Sequence, residues 1–285
     1  MIVDTHTHIV SPDRERYPLR PYGLPQGDGA PARWFDTHAV SAEDLIAAGD
    51  AAGIDRTVAV QAMGAYSYDN SYCLDAASEH SPRLGSVCIV DPLDPTAPKT
   101  LERLVVDHGA RGVRLFTITH PESTWLDEAP GVAVIDVATQ LGIPIVATLL
   151  SNQMPKLENL LAAHPRAKVA LDHCGFPDLR GGPPFQGATT LCALTRHPNL
   201  HLKVSTHLLG AIERSGDDVR DFVDHLHTIF GPGRLLWGSD YPQTHDRSYA
   251  EMVAFARHAC SRLDDAAQAS FLGGAALSLW PDPSD

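Results

Sequence analysis

Residues 142–148 read Gly-Ile-Pro-Ile-Val-Ala-Thr and place an almost continuous apolar run directly after a helical pattern that ends at a glycine. Such a run is typical of a strand that is covered on both faces, as the strands of a parallel sheet are. Comparable runs recur along the whole chain. The sequence predicts eight strands, at Ile2–Thr5, Thr57–Gln61, Gly85–Val90, Gly112–Phe116, Ile143–Thr148, Lys168–Asp172, Leu200–Val204 and Leu235–Trp237.

Helical patterns separate these strands. Ser41, followed by two acidic residues, indicates a helix N-cap, and the other helical patterns cover Thr100–His108, Met154–His164, Ser215–Phe230 and Ser248–Arg262. Strands that alternate with helices along 285 residues predict an α/β fold, a single-domain (β/α)8 TIM barrel that spans 1–285. A doubly wound sheet is the alternative that periodicity leaves open, although no GxGxxG fingerprint follows any of the strands.

Residues 11–40 interrupt the alternation between the first strand and the first helix. This segment is rich in proline, glycine and charge. A loop of this length in a compact domain usually either serves function or is disordered. In a barrel it would overhang the catalytic end, so we expect a lid or a pocket wall, with a flexible insertion as the alternative.

The composition limits which classes of binding partner and which cellular compartment are compatible with the sequence. The formal net charge is −13, which disfavours non-specific binding to nucleic acid or to an anionic membrane. The five cysteines are widely spaced without a CxxC pair, and neither a signal peptide nor a run of about 18 apolar residues is present. The sequence predicts a soluble cytoplasmic protein with a small-molecule partner. Its oligomeric state stays open, with a homodimer as one possibility.

Two histidines stand at the end of the first predicted strand, in Asp4-Thr-His-Thr-His8. Residues two apart in a strand point to the same side, so His6 and His8 present two imidazoles in one direction. This arrangement suits two ligands of one metal ion, although an HxH pair also occurs by chance in a chain with 15 histidines.

Two further polar residues are predicted at the same end of the barrel. Asp240 follows the eighth strand in Leu236-Trp-Gly-Ser-Asp-Tyr-Pro242, and His173 follows the sixth. Strand eight of a barrel lies beside strand one, so we expect Asp240 close to His6 and His8. TIM barrels carry their catalytic residues at the C-terminal ends of the strands. A structural aspartate and a histidine bonded below the pocket are the alternatives.

In combination, these motifs resemble the amidohydrolase-2 branch of the amidohydrolase superfamily. The matching features are the HxH after strand one, the DHxG after strand six and the WGSDYP after strand eight, together with segments 109–116 and 201–205 as strands four and seven. Within that branch the chain is most similar to the lactonases typified by 2-pyrone-4,6-dicarboxylate lactonase, including Tyr17-Pro18 after the first strand. The resemblance covers nearly the whole chain and implies a hydrolase.

The chain departs from many metal-dependent members of this superfamily. These carry a histidine ligand after the fifth strand, where this sequence reads Leu149-Leu-Ser-Asn-Gln153, and no lysine suited to a carbamate bridge follows strand four. A binuclear centre is therefore not expected. His6, His8 and Asp240 could still hold one divalent metal such as zinc with an open position for water. Some lactonases of the branch work without metal, so both possibilities stay open.

The resemblance implies that the site opens a small, carboxylated lactone by attack of water. Asp240 is the candidate general base, and His6, His8 and His173 would either bind the metal or polarise the scissile carbonyl. Arg114 is the candidate anchor for a substrate carboxylate because its guanidinium fork matches that group, with a structural ion pair as the alternative. Other candidate substrate-binding residues are Gln61, Tyr66, Asn152, His207, Tyr241, Arg20 and Tyr22.

Three other functions are alternative hypotheses. Amide hydrolysis would use a related pocket, and the absent fifth-strand histidine weakens a metal-dependent decarboxylase. A degenerate barrel that binds a small carboxylate is the non-enzymatic alternative. A Cys174 nucleophile is disfavoured because Cys174 directly follows His173 and should point away from the pocket, and the GxSxG motif of α/β-hydrolases is absent.

Overall fold

Eight parallel strands follow one another in chain order in a computed structural model, which describes residues 1–21, 33–118 and 125–281. Each strand pairs with the next along the chain. All eight predicted strands are confirmed, with ends that differ from the prediction by at most two residues. The strands are β1 Val3–Thr7, β2 Arg56–Val60, β3 Leu84–Ile89, β4 Val113–Phe116, β5 Ile145–Thr148, β6 Val169–Leu171, β7 Leu200–Ser205 and β8 Leu235–Gly238.

Backbone hydrogen bonds between the first and last strand segments close the sheet on itself. The Asp240 N–H donates to the carbonyl of His6 at 2.8 Å, and the His8 N–H donates to the carbonyl of Tyr241 at 2.8 Å. Sequential strand order with closure defines the single-domain (β/α)8 barrel that the sequence predicts. It excludes the doubly wound sheet, in which the strand order reverses at a switch point.

Helices cover the outside of the barrel, and within the described ranges none of them is both long and apolar enough to cross a membrane. The predicted N-cap is confirmed, because Ser41 Oγ accepts the Asp44 N–H at 3.1 Å. The helix predicted for 215–230 begins at Val219, because Ser215 ends a separate preceding helix that Gly216 caps in a left-handed conformation (φ 83°). The helices are α1 Trp34–Thr37, α2 Ala42–Ala52, α3 Met63–Tyr66, α4 Ser71–Glu79, α5 Ala97–Val106, α6 Ala129–Gln140, α7 Met154–Ala163, α8 Thr189–Ala193, α9 Thr206–Ser215, α10 Val219–Phe230, α11 Tyr249–Ala259, α12 Asp265–Ala269 and α13 Ala275–Leu279.

Side chains alternate along each strand between the helical layer and the barrel interior. The interior is apolar near the N-terminal ends of the strands, where Val58, Val146 and Leu236 pack in one cluster with Trp280, which follows α13. The strands β4 and β7 also place Arg114 and Lys203 inward, in register with Val146 and Leu236, because their neighbours along the strand belong to the outer hydrophobic cluster. The barrel therefore has an apolar floor that these two cations adjoin.

The long segment after β1 is described except for residues 22–32, so the predicted insertion at 11–40 is only partly visible. Its α1 is anchored by Phe35, which is buried against Gly64 of the loop after β2. The ring of His38, at the end of α1, stacks on that of His245 after β8 with 3.8 Å between centroids. The described part of this segment therefore bridges two loops at the C-terminal end of the barrel.

Candidate active site

The two histidines of β1 are held by hydrogen bonds through their Nδ1 atoms. His8 Nδ1 lies 2.8 Å from the carbonyl oxygen of Val60, and His6 Nδ1 lies 3.0 Å from Asp172 Oδ1. A carbonyl or a carboxylate oxygen can only accept, so in both rings Nδ1 carries the proton. In the neutral rings, the Nε2 atoms of His6 and His8 are therefore bare lone pairs.

Asp240 faces both of these lone pairs. Its Oδ1 lies 3.6 Å from His6 Nε2 and 3.6 Å from His8 Nε2, while its Oδ2 accepts the Thr244 hydroxyl at 2.8 Å. Asp240 has φ 62°, a left-handed conformation that costs energy for a non-glycine residue. The approach to β1 also requires Gly238, since a Cβ there would lie 2.8 Å from His6 Cβ. The backbone is thus held so that the carboxylate points at the two imidazoles.

These three atoms match the donor set of a metal ion. Among the described residues, His6 Nε2 and Asp240 Oδ1 are buried without any hydrogen-bond partner, which is rare for polar atoms in a folded protein. Two neutral imidazole lone pairs and a carboxylate oxygen have no proton to share, and they lie within 4.8 Å of one another. A cation between them would satisfy all three, and nitrogen and carboxylate ligands of this type suit zinc.

A second cluster, His6, Asp172 and His173, has comparable spacing. Both oxygens of the Asp172 carboxylate, however, already have hydrogen-bond or ion-pair partners. Asp172 Oδ2 accepts the Thr148 hydroxyl at 2.6 Å and faces Arg114 Nη2 at 3.3 Å. Asp172 Oδ1 faces Lys203 Nζ at 3.1 Å in addition to His6. With four donors around it, Asp172 is a poorer metal ligand than Asp240.

The third histidine, His173, contacts a hydroxyl group through its Nδ1 atom, whereas His6 and His8 contact a carboxylate and a carbonyl. Ser205 Oγ accepts the Leu208 N–H at 3.2 Å and lies 2.7 Å from His173 Nδ1, so its hydroxyl proton is available to that nitrogen. When Ser205 donates that proton to Nδ1, the neutral His173 ring carries its own proton on Nε2. The ring centroid lies 4.9 Å from that of His6 and 4.7 Å from that of Phe176. His173 thus offers a hydrogen-bond donor beside the two bare imidazole nitrogens.

The pKa values of the buried groups agree with these protonation states. Burial lowers the pKa of His6 to about 3 and that of His173 to about 4, so both rings are neutral near pH 7. Burial by itself would raise the pKa of Asp240, but the surrounding imidazoles, His8 first, hold it below its ordinary value. The cluster therefore contains an ionised carboxylate beside the neutral rings of His6 and His173.

Three of the predicted substrate-binding side chains use their polar groups to hold loops. Gln61 Nε2 donates to the carbonyl of Asp69, and the Tyr66 hydroxyl accepts the Ser11 N–H at 2.8 Å. Arg20 is exposed, with its Nε 3.6 Å from Asp69 Oδ2. These contacts, all made by residues of two neighbouring loops, give no support to a role in binding substrate, which stays a prediction.

The other predicted residues lie around the mouth of the barrel or beyond the described part. His207 is exposed at the start of α9, with its ring 5.8 Å from that of His173. Tyr241 is half-buried and stacks on Tyr249. Asn152 is exposed in the turn after β5. Tyr22 lies outside the described residues.

Arg114 does point into the barrel, but its guanidinium is engaged. Besides the contact with Asp172, its Nε donates to Thr148 Oγ1 at 2.8 Å. The structural ion pair that the sequence left open as an alternative is thus present. A role for Arg114 as a carboxylate anchor remains a prediction that this pairing weakens.

Sequence reasoning missed Asp172, Thr148, Lys203 and Ser205. A signal was available for the lysine, because a charged residue between Leu202 and Val204 of an apolar strand has to face the barrel interior. Trp34 was also missed: its half-buried indole lies 5.7 Å from the His8 ring, between ring centroids. No pattern in the long segment after β1 distinguishes Trp34 from its neighbours.

Curated relatives of the chain include lactone hydrolases. L-fucono-1,5-lactonase of Burkholderia ambifaria is 28% identical over 238 residues, which cover 80% of this chain and 80% of that protein. The 4-sulfomuconolactone hydrolase of Hydrogenophaga intermedia is 27% identical over 245 residues, 85% of this chain and 74% of that protein.

Solved structures share the fold. A 2-pyrone-4,6-dicarboxylic acid hydrolase from Pseudomonas putida superposes with a TM-score of 0.78 at 22% identity, covering 98% of this chain and 97% of that one. An amidohydrolase from Burkholderia multivorans with bound zinc superposes with a TM-score of 0.75 at 20% identity, covering 99% and 100%. The model of the amidohydrolase family matches residues 3–281. The chain therefore belongs to the amidohydrolase family.

Proposed function

We propose that this protein is a lactone hydrolase whose reaction takes place at Asp240, His6, His8 and His173. The observation that carries the proposal is the buried Asp240 Oδ1, which lies 3.6 Å from two bare imidazole nitrogens and, within the described residues, lacks a hydrogen-bond partner. An unsatisfied buried carboxylate is costly and persists where function requires it. The lactonase names of the curated relatives support the same reaction class.

One divalent metal, with zinc as the first candidate, would be held by His6, His8 and Asp240. The zinc bound in the Burkholderia multivorans structure supports this choice. When bound, such an ion supplies Lewis-acid polarisation and acidifies a water molecule. The alternative mechanism uses the same residues without metal, with all three histidines polarising the carbonyl and Asp240 as the sole base.

Asp240 carries out the proton transfers of the reaction, and His173 stabilises the negative charge that develops. Asp240, which is ionised, accepts a proton from the attacking water as its oxygen bonds to the carbonyl carbon. The His173 Nε2–H donates a hydrogen bond to the carbonyl oxygen as negative charge develops there. The bond from the carbonyl carbon to the ring oxygen breaks, and Asp240 returns the proton to that oxygen. The product is the open hydroxy acid.

We propose that the ring of the substrate packs near Trp34. The indole is half-buried beside His8, and the Phe176 ring packs against a different histidine of the cluster, His173. Flat aromatic faces at both ends of the cluster suit a small ring that presents C–H groups to them. This placement assigns the described part of the long segment a role as pocket wall.

The contacts of the inward cations argue against the carboxylated substrate that the sequence predicts. Arg114 and Lys203, the inward cations of the strands, both face Asp172. A substrate carboxylate would have to compete with that buried carboxylate. We therefore propose an uncharged lactone, and a preference for carboxylated lactones in a substrate panel would restore Arg114 as the anchor.

A lactone panel tests the proposal directly. We expect turnover of at least one uncharged five- or six-membered lactone by the wild type and its loss in Asp240→Asn. Turnover of amides alone would favour the amidase alternative, and release of carbon dioxide from aromatic acids would favour a decarboxylase. Tight binding without turnover would indicate a degenerate barrel.

The cellular compartment and the oligomeric state are also proposals. The five cysteines are free in the structure, four of them buried, which supports a reducing compartment such as the cytoplasm. Assembly as a homodimer would be seen as a doubled mass in sedimentation or light scattering.

A further inference from the structure

Lys203 is fully buried in β7, directly below the histidine cluster. Its ammonium lies 3.1 Å from Asp172 Oδ1, 3.4 Å from His6 Nδ1 and 5.4 Å from the centroid of the Trp280 ring on the barrel floor. Burying an ammonium group is expensive, and burial accordingly lowers the pKa of this lysine. A lysine in this position therefore calls for an explanation beyond packing.

Charge balance explains a second buried cation but not its position. Arg114 and Lys203 both face Asp172, although the cluster also contains the buried, ionised Asp240. A cation placed beside Asp240 would balance the charges equally well. The contribution of Lys203 therefore lies in where it holds Asp172.

The two carboxylate oxygens of Asp172 contact different sets of hydrogen-bond donors. Thr148 and Arg114 hold Oδ2, whereas Lys203 and His6 Nδ1 hold Oδ1. Without Lys203, the donors on Oδ2 would act largely unopposed, and the carboxylate could rotate away from His6. The hydrogen bond that keeps the proton of His6 on Nδ1 would then weaken.

We infer that Lys203 is a positioning residue that acts through Asp172 to keep His6 in the tautomer with a bare Nε2. That tautomer is the one able to bind a cation beside Asp240, whereas the other tautomer puts a proton where the cation would sit. Partners of this kind, behind a metal-binding histidine, typically change metal affinity or activity by about 10–100-fold when they are removed. The inference deepens the proposed function and rests on it only for the identity of the bound group.

Lys203→Met is the variant that tests the inference. It preserves the length of the side chain and leaves Arg114 and Asp172 as a neutral pair, so we expect it to fold. Zinc affinity is measured by competition with a chromophoric chelator, and the tautomer of His6 from the ¹⁵N shifts of its ring in metal-free protein. Lys168→Met, which removes an exposed lysine on the same barrel, is the control.

The expected results are specific to a positioning role. Lys203→Met should weaken zinc binding by about 10–100-fold, populate both tautomers of His6, and lower kcat more than it changes KM. Lys168→Met should behave as the wild type. Unchanged zinc affinity and an unmixed Nδ1–H tautomer in Lys203→Met, whatever its melting temperature, would overturn the inference and leave Lys203 a structural residue.

A second variant covers the case in which Lys203→Met does not fold. Thr148→Val removes a donor from Oδ2, the opposing oxygen, without removing a charge, so we expect it to retain the Nδ1–H tautomer of His6 and full zinc affinity. Mixed tautomers and weakened zinc binding in this variant would contradict the idea that the donors on Oδ2 oppose the contact between Asp172 and His6. If wild-type protein binds no zinc at all, the metal part of the proposed function fails, and the tautomer measurement still decides the role of Lys203.

Discussion

Asp172 and Asp240 are two fully buried carboxylates that face the same imidazole from opposite sides. Asp172 meets His6 at Nδ1 and Asp240 meets it at Nε2. Asp172 is surrounded by donors on both oxygens, from Thr148, Arg114, Lys203 and His6. Asp240 has one oxygen satisfied by Thr244, while the other has no hydrogen-bond partner in the described part of the chain and faces the Nε2 atoms of His6 and His8.

This difference separates a carboxylate that organises the site from one that reacts in it. A satisfied carboxylate has no capacity left for a ligand or a substrate proton, and its charge stabilises its neighbours. Burial by itself would raise the pKa of Asp172, but His6, Lys203 and Arg114 hold it well below the ordinary value. The unsatisfied Asp240 has a free acceptor, and only a cation or a water proton can use it. Each prediction below tests one side of this comparison.

The largest effect is expected at the unsatisfied carboxylate. Asp240→Asn removes the charge and the proton acceptor while preserving the shape of the side chain. We expect kcat/KM for a lactone to fall by about 10²–10⁴-fold, the range of general acid–base catalysis. Thr244→Val, which removes only the bond to Oδ2, is the matched control, and an equal loss in both variants would contradict the division between the two oxygens.

The satisfied carboxylate should instead govern stability. Asp172→Asn leaves Arg114 and Lys203 as buried cations without a counter-charge, which typically costs about 3–5 kcal/mol. Chemical denaturation should show this loss in the free energy of unfolding, whereas Asp240→Asn should lose far less. A wild-type-like stability of Asp172→Asn would mean that the ion cluster is hydrated and not as buried as its contacts indicate.

A somewhat smaller effect on activity is expected for His173. Replacing it with Phe removes the Nε2–H but retains a ring against Phe176. Removal of one donor to a developing oxyanion costs about 10²–10³-fold in kcat. His207→Phe serves as control, because that ring is exposed and 5.8 Å from His173. Loss of activity confined to His207→Phe would move the donor role to the neighbouring histidine.

The smallest effect should come from the pocket wall, which touches neither carboxylate. Trp34→Ala removes the indole beside His8 and should raise KM by about 2–10-fold, the value of about 0.5–1.5 kcal/mol for an aromatic contact, with kcat little changed. Trp34→Phe should restore most of the affinity. A fall in kcat without a change in KM would show that the indole positions His8 and does not contact the substrate.

Much of this account could be predicted from the sequence, for identifiable reasons. The buried parallel strands show as apolar runs, such as the one at 142–148, and the period of two along β1 places His6 and His8 on one side. Adjacency of strands eight and one in a barrel then brings Asp240 to them. These inferences depend only on local periodicity and on closure of the barrel.

The remainder depends on contacts between strands that are distant in the chain. Lys203 and His6 are 197 positions apart, and no local pattern indicates that their side chains meet. The same holds for the pairing that engages Arg114 and for the tautomers of the histidines. Gln61 and Tyr66 were expected in the pocket because they follow β2, but the loop uses them for its own hydrogen bonds.

Metal analysis of purified protein, paired with lactone hydrolysis before and after chelation, tests the central claim most directly. The account predicts about one divalent ion per chain, loss of activity on chelation and its return with added zinc, with no stoichiometric binding by Asp240→Asn. Full lactone hydrolysis by metal-free protein would contradict the claim that the unsatisfied Asp240 oxygen and the two bare imidazole nitrogens form a metal site.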